Sequence, residues 1–425
     1  MHFNTLLLRL GFKPDDFLDV PVDPIPFDGG FIFEAELKGT QRECPNCKSI
    51  KTHIHGYSYV EYNCSENDNI KDILRIKKPR YLCLKCHRTY TPDVQGIRYR
   101  RLTSSLTEQL INNDFASKLT FRDLARKYQI SHSRAVQLFD EKVKFVPRLK
   151  MPHVLCIDEI RFSEEINQKF ICVLTDFEKG ELVDIIKNRQ MAYLKEYFES
   201  IPLKERENTK VFISDMYDGY ASICRQYYPK AIHIVDLFHV ITQLTNAVNR
   251  IRTRVMNTEA QKGSVEYNFM KAHWKYFLCR RNKIPNKTYT YMKTGEVENY
   301  NDLVFKCIQL RMDLWIGYDA LQEIFRYSEY STYEEALKFI ERMSTKLLNS
   351  LNDDLKSVGR TYHRWRYEIA NGFAKGNKTF RYTNAIAEGL NNQLKTIIKQ
   401  AYGYHNFERF RKRAMLIMTY GKKPI

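Results

Sequence analysis

The run His153-Val-Leu-Cys-Ile-Asp158 decides how this chain is read: a short apolar segment of strand-forming residues stops at a carboxylate. Val211-Phe-Ile-Ser-Asp215 repeats the pattern, and Ala231–Val235 leads into Asp236-Leu-Phe-His239. Short apolar runs bounded by polar residues and turn formers predict buried strands. Working outward, Lys169–Leu174 and Glu181–Ile186 predict two more strands, joined by the turn Asp176-Phe-Glu-Lys-Gly180. Met191–Phe198 and Tyr217–Tyr227 have helical periodicity.

Three meander strands followed by alternating helices and strands, from Pro152 onward, is the order of a ribonuclease-H-like domain on a mixed α/β sheet. Glu388 adds a third acid, in the helical stretch Thr383-Asn-Ala-Ile-Ala-Glu388-Gly-Leu-Asn-Asn. Ile386, Leu390, Leu394 and Ile397 make one apolar stripe there, and Asn384, Glu388, Asn391, Lys395 and Lys399 make the opposite polar face. Carboxylates at two strand ends, met by one from a helix, can hold two divalent cations against a phosphodiester. Oxygen ligands select Mg²⁺ or Mn²⁺ over zinc. The expected catalytic acids and ligands of two such ions are therefore Asp158, Asp215 and Glu388. Each acid alone reads equally as a turn, cap or solvated-face residue, and Glu159, Asp176 and Asp218 are the neighbours most easily mistaken for them.

Upstream, Cys44-Pro-Asn-Cys47 and Cys83-Leu-Lys-Cys86 are two C-x2-C knuckles, each presenting a pair of thiolates to one tetrahedral ion. With the strand-like Phe31–Leu37 and the alternating Ile70–Tyr81, they predict a zinc ribbon with one structural Zn²⁺ on Cys44, Cys47, Cys83 and Cys86. His53, His55, Cys64 and His87 are the competing ligands. Helical segments follow at Ser105–Phe115, Thr120–Tyr128 and Ser131–Val143, after the basic junction Arg98–Arg101. Thr120-Phe-Arg-Asp123 has the form that starts a helix. The spacing across 121–137 predicts a helix-turn-helix whose second helix turns Ser131, His132, Ser133, Arg134 and Gln137 toward a DNA groove. The bland reading is an ordinary helical pair.

The bulk composition agrees with such partners. Of 425 residues, 43% are hydrophobic and 13% aromatic, which supports packed domains and excludes a disordered chain. Lys+Arg number 68 against 50 Asp+Glu, a net charge of +18, and such an excess favours a polyanion. No apolar run reaches the roughly 20 residues of a membrane span, and the start lacks the pattern of a secretory signal. Most of the remaining cysteines read as small buried thiols. Residues 240–365 are mostly helical by periodicity, for example Val240–Met256 and Glu334–Leu348; the basic clusters Arg250–Arg254 and Cys279–Lys283 fit solvated faces or phosphate contacts.

In order along the chain, the knuckles, Cys156-Ile-Asp158-Glu159, Ser214-Asp215-Met216-x3-Tyr220, Asp236-Leu-Phe-His239, Thr383-Asn384-x3-Glu388-Gly389-Leu390-Asn391-Asn392 and Tyr402-Gly403-Tyr404-x-Asn406-Phe407 resemble the ISL-three family of bacterial insertion-sequence transposases. The resemblance spans almost the full chain and is weakest at 240–365. It implies a zinc-ribbon module (1–100), a helix-turn-helix (101–148), a ribonuclease-H-like core (151–240), an α-helical insertion (241–365) and a last core segment carrying the Glu helix and a basic tail (366–425). It also implies double-stranded DNA as partner, as terminal inverted repeats and target, bound by a homodimer or higher multimer of a cytoplasmic, nucleoid-associated bacterial protein without membrane contact. By motif the acids carried over are Asp158, Asp215 and Glu388, supported by Asp236 and His239. DNA contacts are expected from Ser131, Ser133, Arg134, Gln137, Asn384, Asn391, Lys395 and Lys399. A catalytically dead regulator that keeps the DNA-binding modules is the main alternative. A tyrosine recombinase using His363, Arg366 and Tyr402 or Tyr404 leaves the strand-end acids unexplained, and a zinc-ribbon RNA-binding protein would tolerate their loss.

Overall fold

The structure, a computed structural model, describes residues 4, 7–8, 12–18, 23–27, 30–39, 43–63, 73–91, 111–128, 130–163, 169–292, 295–327, 332–374 and 385–420. Thr383, Asn384, Cys64, Arg98–Arg101 and most of the expected segment at Ser105–Phe115 lie outside them. The chain forms two compact units, Met1–Pro147 with Thr396–Ile425, and Arg148–Lys395. The residues after Lys395 thus group with the N-terminal unit, although the sequence assigns them to the core.

In the first unit, β1 (Ile25–Phe27), β2 (Gly30–Glu36), β3 (Thr52–Asn63), β4 (Ile73–Cys83) and β5 (Thr89–Tyr90) form one sheet, in the order β1-β2-β4-β3 with β5 on β4. β3 and β4 pair antiparallel from Thr52↔Cys83 to Asn63↔Ile73, so the two knuckles meet at one end of a long ribbon. Leu7, Phe12, Phe17, Tyr62, Leu74 and Ile76 pack its far end.

Two helices follow, α1 (Phe121–Lys127) and α2 (His132–Lys142). Thr120 and Asp123 close the expected capping box: Thr120 Oγ1 accepts from Asp123 N (3.2 Å), and Thr120 N donates to the Asp123 carboxylate (3.0 Å). Phe139 of α2 meets the edges of Phe115 and Phe121 at 5.1 and 5.2 Å between centroids.

The second unit holds a sheet in the order β10-β9-β6-β7-β8, from β6 (Val154–Arg161), β7 (Phe170–Asp176), β8 (Glu181–Ile186), β9 (Val211–Ser214) and β10 (Ile232–Val235). β6, β7 and β8 are an antiparallel meander, and β9 and β10 run parallel to β6. β6 outlasts its apolar run: it pairs with β7 through Asp158↔Val173 and on to Arg161↔Phe170, while its pairing with β9 stops at Cys156. Asp158 therefore ends the β9 side of the strand and not the strand itself.

One face of this sheet is covered by α3 (Met191–Glu199) and, after the short α4 (Leu203–Arg206), by α5 (Asp218–Tyr227). Leu194, Phe198, Tyr220 and Ile223 pack there on Leu155, Ile157, Cys172 and Phe212. Beyond β10 lie α6 (Leu237–Thr258), α7 (Val265–Ala272), α8 (Tyr300–Ile308), α9 (Met312–Tyr327), α10 (Tyr333–Leu348), α11 (Asp353–Arg364) and α12 (Arg366–Phe373), around their own apolar core. Arg250 and Arg254 of α6 both bind Asp354 at the start of α11 (2.7 and 2.9 Å), a structural use of that basic cluster. α12 returns to the sheet edge: a Cβ on Gly372 would lie 2.8 Å from Val235 O, so only glycine allows this approach. α13 (Ala385–Gln400) carries Glu388, and α14 (Phe407–Met415) follows it. Among the described residues no helix is long and apolar enough to cross a membrane.

Candidate active site

The four knuckle cysteines converge. Their sulfurs lie within 4.8 Å of one another, with Cys44 to Cys86 at 3.6 Å and Cys47 to Cys83 at 3.5 Å. A zinc tetrahedron with Zn–S of about 2.3 Å has sulfur–sulfur edges of about 3.8 Å, close to these spacings. The knuckles are built alike. Cys44 N and Cys83 N donate to Ser49 O and Arg88 O (2.9 and 3.0 Å), and Lys48 N and His87 N return to Cys44 O and Cys83 O (2.8 and 2.9 Å). Lys48 and His87 take left-handed backbones, φ 59° and 54°, to close the turns. Backbone N–H groups lower the Cys83 and Cys86 thiols, while the neighbouring sulfurs hold Cys47 up, so the quartet shares its protons until a metal displaces them. His53, His55 and His87 are not in the cluster. The donor set fits one closed, structural zinc ion.

Strand register explains how the aspartates come to one face at one end of the sheet. β9 runs beside β6 through Leu155↔Phe212 and Cys156↔Ile213, and two residues further this sets Asp158 level with Asp215. β10 runs beside β9 through Val235↔Ser214, and Asp236 N donates to Ser214 O at 2.9 Å. Side chains alternate along strands, so these aspartates share the face formed by Val154, Cys156, Val211, Ile213 and Ile234. Ile386 and Ala387 of α13 pack on that same face.

Each aspartate is held differently. Asp158 Oδ1 accepts from Glu159 N (2.8 Å), and Oδ2 accepts from the Asn391 amide (2.7 Å). Asp215 Oδ1 accepts from Tyr217 N at 3.2 Å. Asp236, 1% exposed, caps α6 through Phe238 N (3.2 Å) and binds His239 Nδ1 at 3.0 Å. Burial raises the carboxyl pKa of Asp158, and burial together with the negative charge of Glu159 lifts Asp215 to about 6. The Asp236 hydrogen bond raises His239. Asp158 and Asp215, two half-buried carboxylates with raised proton affinity, form a pair that a hard divalent cation would relieve.

Glu388 stands apart. It is exposed, one helical turn before Asn391. Among the described residues the cysteine quartet is the one group of three or more Cys, His, Asp or Glu ligand atoms within 4.8 Å of one another, so the acids at 158, 215 and 388 are not closed onto a shared point. Asn391 departs from the expected solvent face: it is 3% exposed, and its Oδ1 is buried with no hydrogen-bond partner among the described residues. That burial suits support of Asp158 better than contact with DNA. Lys395 and Lys399 are exposed as expected. The neighbouring acids are otherwise engaged, Glu159 with Arg189 (2.9 Å), Asp218 with Arg364 (2.6 Å), and Asp176 with the N–H groups of Glu178 and Lys179 in its turn.

In α2, Ser133 and His132 are exposed. Ser131 Oγ is the N-cap and accepts from Arg134 N (3.1 Å); Arg134 pairs with Glu141 (3.5 Å), and Gln137 also donates to Glu141 (2.9 Å). The sequence missed the buried Arg413 of α14, whose guanidinium donates to the carbonyls of Phe115, Ser117 and Leu119. Asp140 binds Arg409 with both oxygens (2.6 and 3.1 Å). No local signal separates Arg413 from the other basic residues of the tail.

The chain is 20% identical over 399 residues, 91% of each chain, to the protein described as "Transposase for insertion sequence element IS1001" from Bordetella parapertussis. Residues 155–414 match the model of a family described as Transposase, the ISL-three group of DDE transposases. That match covers more than half of the sequence, and the chain belongs to the ISL-three family of DDE transposases.

Proposed function

We propose that this protein is the transposase of an insertion sequence, which cuts the element's ends and joins them to target DNA. The observation that carries this reading is the register that brings Asp158, where β6 parts from β9, level with Asp215 and Asp236 just past the ends of β9 and β10, on the sheet face covered by the helix that bears Glu388. The strand order supports a ribonuclease-H-like core, α6–α12 its helical insertion, and α1–α2 a helix-turn-helix.

Asp158 and Asp215 are the proposed ligands of Mg²⁺ or Mn²⁺, and Glu388 on α13 is the proposed third. Two such ions would supply Lewis-acid stabilisation of the phosphodiester and of the attacking oxygen. Asn391 and Glu159 N fix the orientation of Asp158, and so the direction its free lone pairs face. Asp236 holds His239 by Nδ1, which leaves Nε2 to meet a phosphate oxygen. Water attacks first and frees a 3′-OH; that hydroxyl then attacks target DNA in line, so no bond to protein forms. Lys395 and Lys399 on α13, with Ser133 on α2, are proposed to contact terminal inverted repeats, and the zinc ribbon is proposed to support that binding. Transposition on paired ends calls for a dimer or larger assembly.

The test is incubation of the full chain with duplexes from the DNA bordering its gene, in Mg²⁺ and in EDTA. Nicks at the element tips in Mg²⁺ alone are expected. Asp215→Asn or Glu388→Gln should abolish them, by at least about 10³-fold, while end binding persists. Binding without metal-dependent nicking by the wild type would mark the inactive regulator instead.

A further inference from the structure

α13 ends in a way that places a large aromatic where the backbone favours glycine. Tyr402 N donates to Lys399 O (3.0 Å) and Gly403 N to Ile398 O (2.9 Å), the paired bonds of a Schellman turn. The left-handed position of that turn, usually Gly, is held by Tyr402 with φ 56°. A side chain there strains the backbone. The ring earns nothing back from packing, since Tyr402 is 91% exposed.

Within the same unit, the turn borders a groove of about 720 Å³. Its other wall is α1 and the first half of α2, including Arg122, Arg126 and His132, with His405 on the tail side. Arg122, Arg126, His132 and His405 are exposed, and the acid in the lining, Asp123, is taken up by the capping box with Thr120. The tail wall is fixed in place by Arg409 on Asp140 and by Arg413 on three carbonyls. A rigid, cationic groove with one projecting ring suits a nucleic-acid strand: cations meet phosphates, and an aromatic face stacks on a sugar or base.

We propose that this groove binds the phosphate backbone of duplex DNA beside the site read by α2, with the Tyr402 ring packed on a deoxyribose of the same strand. This deepens the reading of α1–α2 as a DNA-binding pair and rests on it. The DNA interface then has two halves, one from residues 120–137 and one from residues 400–409.

The experiment measures binding of a labelled duplex from the DNA bordering the gene, over a salt series, with thermal melting of each variant. Tyr402→Gly should melt no lower than wild type, because it relieves the left-handed strain, yet bind about tenfold more weakly. Tyr402→Phe should bind like wild type. Arg122→Gln and Arg126→Gln should each lower the slope of log affinity against log salt by about 1. Wild-type affinity in Tyr402→Gly would overturn the proposal. Ser133→Asp separates the two readings. If it abolishes binding while Tyr402→Gly does not, the helical pair reads DNA and the groove does not. If it binds normally while Tyr402→Gly fails, the groove stands and the role given to α2 falls.

Discussion

The cysteine quartet and the aspartate group solve opposite problems. At the ribbon end, four sulfurs already stand at near-tetrahedral spacing, and two matching turns keep them there. At the sheet end, carboxylates are crowded and partly desolvated, Asp215 is lifted to about 6, and the expected third acid remains in solvent. A metal that serves only folding can have its cage made by local turns. A centre that must accept a substrate phosphate is better left open and charged, with its last ligand on a separate helix.

The sharpest way to break this contrast is to damage the closed centre. Cys44→Ser should lose zinc and unfold the ribbon, a cost of several kcal/mol, while leaving the second unit's melting transition in place. Calorimetry with zinc analysis checks it; full zinc content in the variant would remove Cys44 from the ligand set. Asn391→Leu tests the open centre at the next level of effect. It keeps the buried volume but removes the donor to Asp158, so strand cleavage should fall about 10–100-fold with DNA affinity unchanged. Unaltered cleavage would mean that Asp158 orients itself.

The smallest effect is on pH dependence. Burial raises Asp215 from 3.8 to about 6, so its carboxyl favours the folded state while protonated and loses that contribution as pH rises through about 6. In EDTA, the wild type should therefore lose stability relative to Asp215→Asn between about pH 4 and about pH 7, and Mg²⁺ should restore it at the upper end. Parallel melting curves for the two proteins across that range would show that Asp215 is not buried as described.

The sheet was legible because each of its strands contains a short apolar run with its own boundary, and the parallel register follows once β6, β9 and β10 are neighbours. Asp158, Asp215 and Asp236 could therefore be named from their places at the ends of those runs. Asn391 could not be read correctly, since helical spacing alone puts it with Glu388 and Lys395; the packing of Ala387 on the sheet turns it inward. β3 went unnamed because Gly56 interrupts its alternation at the bulge. The return of the tail depends on carbonyls almost 300 positions away in the sequence from Arg413, and no local pattern records that.

This last contact bears on how the chain matures. Carbonyls at 115, 117 and 119 wait for a guanidinium at 413, so a ribosome must add almost 300 further residues before the early helical pair gains this partner. Products cut short inside the helical body would carry that pair incompletely packed, and so would be poor competitors for whatever the finished protein grips.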